Sequence, residues 1–292
     1  MLRLIERPGA HDLVRVPPST RAVVSWNSDA PAGEIALIAH RAGGTVSPPL
    51  PYARWSPDER RSENGGDAET RIEVDVVRSD AALSAIGIAS SVELDAVAVA
   101  VPPPSGARSA ARSRTLELDV PRISQYSSAY PDARGWCSAA ALAMLLRYHG
   151  VVANVPEVVR GVYDGAYGGT GNWAFNAAYA GARGLRAVVA YLNGIDHVAA
   201  FIDAGLPVAI SIGWNADELP GAPLEHSEGH LLVVRGVDAS HVAVNDPAHP
   251  SIATRYPRTA LDLVFRAHGG VAYLVAPRER TADLVALAND AV

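Results

Sequence analysis

Two periodicities divide the chain. Up to about residue 101, apolar and polar positions alternate over short stretches. Arg71-Ile72-Glu73-Val74-Asp75-Val76 sets charged residues against β-branched ones at every second position, which predicts a half-buried strand. Residues 20–26, 34–39, 85–89 and 92–101 are further strand candidates, separated by Gly, Pro, Ser and Asp clusters. Strands at this spacing predict an antiparallel β-sandwich. Residues 57–68, PDERRSENGGDA, read as a mobile loop, and residues 102–112, PPPSGARSAAR, as a linker.

Beyond the linker the pattern changes. Residues 139–146, AAALAMLL, are nearly all strong helix formers, bracketed by Gly135 and Gly150. That predicts a helix starting near Cys137 and stopped by Gly150. Residues 231–237, LLVVRGV, form a short apolar run typical of a buried strand. Asp238, Ala239 and Ser240 give a turn signal, and residues 241–246 read as a returning strand ended by Pro247. The expected organisation is a β-sandwich domain at 1–101, a linker at 102–112, an α+β domain at 113–277 and a tail at 278–292.

Composition narrows the class. The chain has 292 residues, 49% of them apolar and 19% charged, enough for two domains with sizeable cores. A net charge of −6 argues against a nucleic-acid partner. No apolar run approaches the roughly 20 residues of a membrane span, and residues 1–20 show no signal-peptide core. With one cysteine and no intrachain disulfide possible, the expectation is a cytoplasmic, reducing setting. Trp26, Tyr52 and Trp55 offer either a sugar platform or core and inter-domain packing, and packing is preferred.

Cys137, at or within a turn of a helix N-terminus, lies where backbone N–H groups and the helix dipole favour a thiolate. A lone cysteine is more often a small buried hydrophobe, so partners decide. Of nine histidines, His149 is twelve positions on along the same helix, about 18 Å away. His11, His40 and His268 are remote in sequence. His230 abuts the apolar strand. With a three-residue loop, Val237 would pair with His241, and His230 and Asp246 would share a sheet face as diagonal neighbours. An even loop would set them on opposite faces. Gln125 lies in an extended segment a dozen residues before the cysteine. Its amide beside the Cys137 N–H would form an oxyanion hole.

Two other patterns compete. Residues 165–171 are glycine-rich but lack the Lys and Ser/Thr of a phosphate loop, and read as a flexible lip near the cleft. His226 and His230 have the i, i+4 spacing of a zinc pair on a helix, but the segment sits between Pro223 and a strand, so neither metal nor cofactor is expected. Residues 214–228 read as a loop bordering the site.

Residues 118–276 resemble the bacteriocin-processing, double-glycine-leader cysteine peptidases (cysteine peptidase family 39), which have a papain-like fold. The resemblance rests on ordered blocks. These are Val120-Pro121 leading to Ser124-Gln125-Tyr126, then Gly135-Trp136-Cys137-Ser138 with its helix ending Tyr148-His149-Gly150. Residues 171–180, GNWAFNAAYA, and 205–212, GLPVAISI, follow, and then Gly229-His230-Leu231 and Asn245-Asp246-Pro247. The resemblance implies an α+β, papain-like peptidase domain behind the β-sandwich. It also implies Cys137 as nucleophile, His230 as base, Asp246 as its orienter, Gln125 in the oxyanion hole, and a peptide or protein substrate. Acyl transfer by the same nucleophile, and a pseudoenzyme that binds peptides or glycans without turnover, are the alternatives.

Overall fold

The protein is described by a computed structural model covering residues 1–9, 12–104, 106, 116–127, 129–130 and 133–290. His11 and most of the expected linker at 102–112 lie outside the described residues. The eight strands of the first half are β1 (Leu2–Glu6), β2 (Leu13–Asn27), β3 (Gly33–Arg41), β4 (Leu50–Trp55), β5 (Arg60–Ser62), β6 (Thr70–Glu73), β7 (Val76–Ser90) and β8 (Ala96–Ala100). They form one hydrogen-bonded sheet, ordered β1-β8-β2-β7-β3-β4-β5 with β6 on β7. Every pairing is antiparallel.

Two expectations change here. The alternating stretch 71–76 is a hairpin, not one strand: Glu73 pairs with Val76 across a two-residue turn. Val74 there takes φ 61°, a conformation that β-branched residues rarely adopt. Alternation survives the turn because two residues, an even number, separate the paired positions. The stretch 57–68 carries the edge strand β5, bound to β4.

The second half is a six-stranded antiparallel sheet with helices. Its elements are α1 (Cys137–Tyr148), α2 (Val155–Val162), α3 (Trp173–Gly181), β9 (Leu185–Tyr191), α4 (Ile195–Asp203), β10 (Val208–Trp214), β11 (Ser227–Val237), β12 (His241–Asn245), β13 (Ala253–Pro257), α5 (Arg258–Ala267), β14 (Val271–Pro277) and α6 (Thr281–Ala288). The strand order is β13-β12-β11-β10-β14-β9. Every residue of β9 is buried, so both faces of the sheet are covered there. Residues 278–292, expected as a tail, contain a 3-10 turn and α6. Leu284 and Ala288 of α6 are buried, and Asn289 exchanges hydrogen bonds with the backbone of Leu2.

Helix α1 is buried continuously from Cys137 to Leu146, the pattern of a helix in a core rather than on a surface. Gly150, at φ 79°, closes it: Val151 N reaches Leu146 O at 2.9 Å and Gly150 N reaches Arg147 O at 3.0 Å, a Schellman closure. His149 does not serve the helix end through its ring, which instead meets Val275 O at 2.9 Å.

The halves are packed together. Asn27 of β2 donates to Ala187 O at 2.8 Å, and Ser25 Oγ accepts from Val189 N at 3.1 Å. Trp26 and Tyr52 are buried, and Trp26 meets Phe175 of α3 edge-on at 5.7 Å. These aromatics are therefore core and seam, as preferred. Among the described residues no helix is long and apolar enough to cross a membrane.

Candidate active site

Gly135, at φ 78°, turns the chain into α1, and Cys137 is the first residue of that helix. The preceding Trp136 ring stacks on Tyr130 at 5.2 Å. Cys137 is 9% exposed and His230 is 3% exposed. His230 stands opposite Ile212 in the pairing of β11 with β10, and its ring meets that of Trp214 edge-on at 5.7 Å.

His230 Nε2 donates to Asp246 Oδ1 at 2.7 Å. Asp246 is fully buried. It also accepts from Ala248 N at 2.9 Å on Oδ1 and from Tyr256 Oη at 2.7 Å on Oδ2. Three donors fix this carboxylate, which orients the imidazole and selects its tautomer. With Nε2 engaged, Nδ1 is the nitrogen left for the thiol, to which His230 is hydrogen-bonded.

The hairpin behind this contact differs from expectation. Asp238 N reaches His241 O at 3.0 Å, closing a two-residue turn, and Val237 pairs with Val242 rather than with His241. That even turn alone would set His230 and Asp246 on opposite faces. The register shifts between Val234 and Gly236, and beyond it Val233 pairs with Asn245. Arg235 is the extra residue of a β-bulge, and the one-residue slip returns both side chains to one face.

Gln125 is 3% exposed, with its N–H donating to Pro247 O at 3.0 Å. Its side-chain Nε2 donates to Ala133 O at 3.1 Å, which leaves a second N–H on the same nitrogen. Asn245 Nδ2 donates to Val120 O and Pro121 O at 3.0 and 3.2 Å, tying the segment before Gln125 to the end of β12. Gln125, Cys137 and His230 line one cleft of about 570 Å³, with Arg134, Leu224 and Ser227 on its walls. The 214–228 segment does border this cleft, through Leu224 and Ser227.

The electrostatics follow from that geometry. Burial pushes the Cys137 thiol up, but the hydrogen bond and charge of His230, with the Leu231 and Ser138 N–H groups, hold it below its ordinary value. Burial pushes His230 down, and the Asp246 carboxylate overcomes this and raises it. Burial likewise opposes the charge on Asp246, yet His230 and Tyr256 keep it low. The trio favours thiolate, imidazolium and carboxylate together. A thiolate beside an imidazolium can add to a carbonyl carbon and return a proton to the departing group.

The other histidines do not join this group. His226 is exposed in the loop before β11, and no cluster of three or more potential ligands for a metal occurs among the described residues. Sequence reasoning missed Tyr256, whose signal was faint: it sits mid-strand in β13, opposite Val242. It also missed the buried chain of Asn176, Ser138 and Tyr273, in which Ser138 Oγ donates to Asn176 Oδ1 at 3.1 Å and lies 2.8 Å from Tyr273 Oη.

Residues 117–273 match the family described as Peptidase_C39 like family. No curated protein matches the chain. Among solved structures, a protein described as a C39-like peptidase from Bacillus anthracis is 21% identical, over 56% of this chain and 98% of its own, with a TM-score of 0.41. A double glycine motif protease from an AMS/PCAT transporter, in complex with the leader peptide, is 20% identical over 56% and 96%, with a TM-score of 0.39. The peptidase domain of Streptococcus ComA, a bifunctional ABC transporter, is 18% identical over 54% and 98%, also at 0.39.

Proposed function

The chain belongs to the peptidase C39-like family, and from that premise we propose that it is a cysteine hydrolase of peptide or amide bonds. Cys137 is the nucleophile, His230 the base, Asp246 its orienter, and Gln125 with the Cys137 N–H the oxyanion hole. The observation that carries this reading is the 2.7 Å contact of His230 with Asp246 beside a thiol held below its ordinary pKa.

The Cys137 thiolate adds to the carbonyl carbon, and the carbonyl π pair moves to oxygen. The Gln125 amide and the helix N-terminal N–H meet that charge. The carbon–nitrogen bond then breaks as His230 Nδ1 protonates the leaving amine, giving a thioester. Water attacks the thioester as His230 takes its proton, and the thiolate departs. Acyl transfer to another acceptor would share the first half of this sequence.

We read the second half of the chain as a papain-like fold, extended by α6, behind an N-terminal β-sheet domain. That domain reads as a sandwich made from one bent sheet. β2 and β7, of 15 residues each, pair over residues 13–15 with 85–87 and over 21–23 with 76–78, with register breaks between. Tyr52 of β4 donates to Val24 O of β2, a strand it does not neighbour.

The test is alkylation of Cys137 from pH 5 to 9, followed by a screen of peptide amides and acyl esters with mass detection of a thioester. Low-pH thiolate reactivity and turnover support the reading. A titration near the free-thiol value of about 8.5 would overturn it. Binding in the cleft without turnover or thioester would favour the pseudoenzyme.

A further inference from the structure

The glycine-rich segment 164–171 has no role in the steps above, yet it joins the first half of the chain to the thiol. Gly165 N donates to Arg60 O at 2.8 Å, and Asp164 Oδ1 accepts from Ser62 N at 3.1 Å, so the turn docks on strand β5. Asp164 is fully buried. It also accepts from Ala166 N at 2.9 Å, Tyr167 N at 3.3 Å and Asn172 Nδ2 at 2.9 Å. A buried carboxylate with four donors is a fixed joint.

The far end of the turn reaches the cysteine. Thr170 Oγ donates to Gly135 O at 2.7 Å, and Thr170 O accepts from Asn176 Nδ2 at 2.8 Å. The Gly135 carbonyl shares its peptide plane with the Trp136 N–H, one residue ahead of Cys137, so this bond holds the turn that leads into α1. Between these anchors, Tyr167 folds back over two glycines. A Cβ on Gly169 or Gly171 would lie 3.1 Å from the tyrosine ring or hydroxyl. Tyr167 is 53% exposed. Burial, then the charges of Asp75, Cys137 and Asp164, push its hydroxyl pKa up.

We propose that the N-terminal half braces the nucleophile: β5 holds the 164–171 turn, and Thr170 at the far end of that turn fixes the Gly135 carbonyl ahead of Cys137. This rests on the cysteine hydrolase reading. Thr170 and Asp164 are positioning residues. The glycine-rich segment is then a braced lip rather than a flexible one.

The test follows Cys137 alkylation by iodoacetamide against pH in the full chain, with melting temperature as the control for folding. Thr170→Val keeps the shape and loses the hydroxyl. It should slow alkylation about tenfold at pH 6 and move the midpoint up, and Thr170→Ser should restore both. Asp164→Ala, which removes the turn's carboxylate contact with Ser62 of β5, should shift the profile in the same direction. If the wild type shows the low titration and folded Thr170 and Asp164 variants match it, the proposal falls alone. If the wild-type thiol titrates like free cysteine, the hydrolase reading falls and this proposal with it.

Discussion

His230 and Asp246 meet at 2.7 Å across a hairpin whose two-residue turn would, without correction, point them to opposite faces of the sheet. The one-residue slip at Arg235 brings them together. Bulges beside functional sites commonly re-aim a side chain in this way. Deleting Arg235 removes the extra residue and the slip together, so Gly236 still meets Ala243, Val233 still meets Asn245, and His230 and Asp246 stay on one face. The expected result is a folded protein that keeps the reactivity of Cys137 at pH 6. A deletion variant whose Cys137 titrates like a free thiol would show that the bulge itself, and not the register beyond it, places His230.

His230 and His226 should behave differently. His230→Ala removes the partner that holds the thiol low and should abolish reactivity at pH 6, whereas His226, exposed in its loop, should be dispensable. Comparing iodoacetamide rates of the two variants decides it, and the reverse pattern would move the base assignment to His226.

Gln125→Ala should lower kcat by about 10²–10³-fold with little change in KM, because an oxyanion donor acts once the oxygen carries charge. The side chain also holds Ala133 O. A variant that loses thermal stability but keeps kcat per folded molecule would make Gln125 a loop strut instead.

Tyr256→Phe removes one of three hydrogen bonds to the buried Asp246. Loss of a bond to a buried charge should cost about 1–3 kcal/mol in urea unfolding. Asp246 would then hold its charge less readily, and Cys137 alkylation at pH 6 should fall. Unchanged unfolding together with an unchanged pH profile would argue that Tyr256 has no part in holding the carboxylate.

Asp75 sits in the strained turn between β6 and β7, with Oδ2 accepting from Trp173 N at 2.5 Å. Burial pushes its pKa up to about 7, against the N–H groups of Trp173 and Ala174. Asp75 thus binds its proton more tightly folded than unfolded. Its contribution to stability is fully present below the unfolded pKa, near 4, and is lost as pH rises through about 7. At about 1.4 kcal/mol per pH unit, the loss is at most about 4 kcal/mol. Asp75→Asn should flatten this part of the stability profile between pH 4 and 8, read by urea unfolding at each pH. A wild-type slope that survives the substitution would assign it to another group.

Helix α1 was legible from local chemistry alone. Eight consecutive strong formers and a terminal glycine need no distant partner to declare a helix, and Cys137 at its start follows from Gly135 before it. The strands β2, β3 and β7 were legible in part for a similar reason, since period-2 burial leaves its mark in the residues themselves. The sequence could also nominate Gln125, Cys137, His230 and Asp246 for one chemistry. It could not bring them together. Whether His230 and Asp246 share a face turned on one unpaired residue, Arg235, and a bulge depends on which strand lies alongside rather than on its own sequence. The hairpin at Val74, the edge strand β5 in a charged stretch, and α6 in the expected tail were hidden likewise, because each is held by partners far away in the chain. The docking of residue 164 on Ser62, and of Asn289 on Leu2, spans 102 and 287 positions. Contacts at such separation carry no periodicity, and only the folded chain decides them.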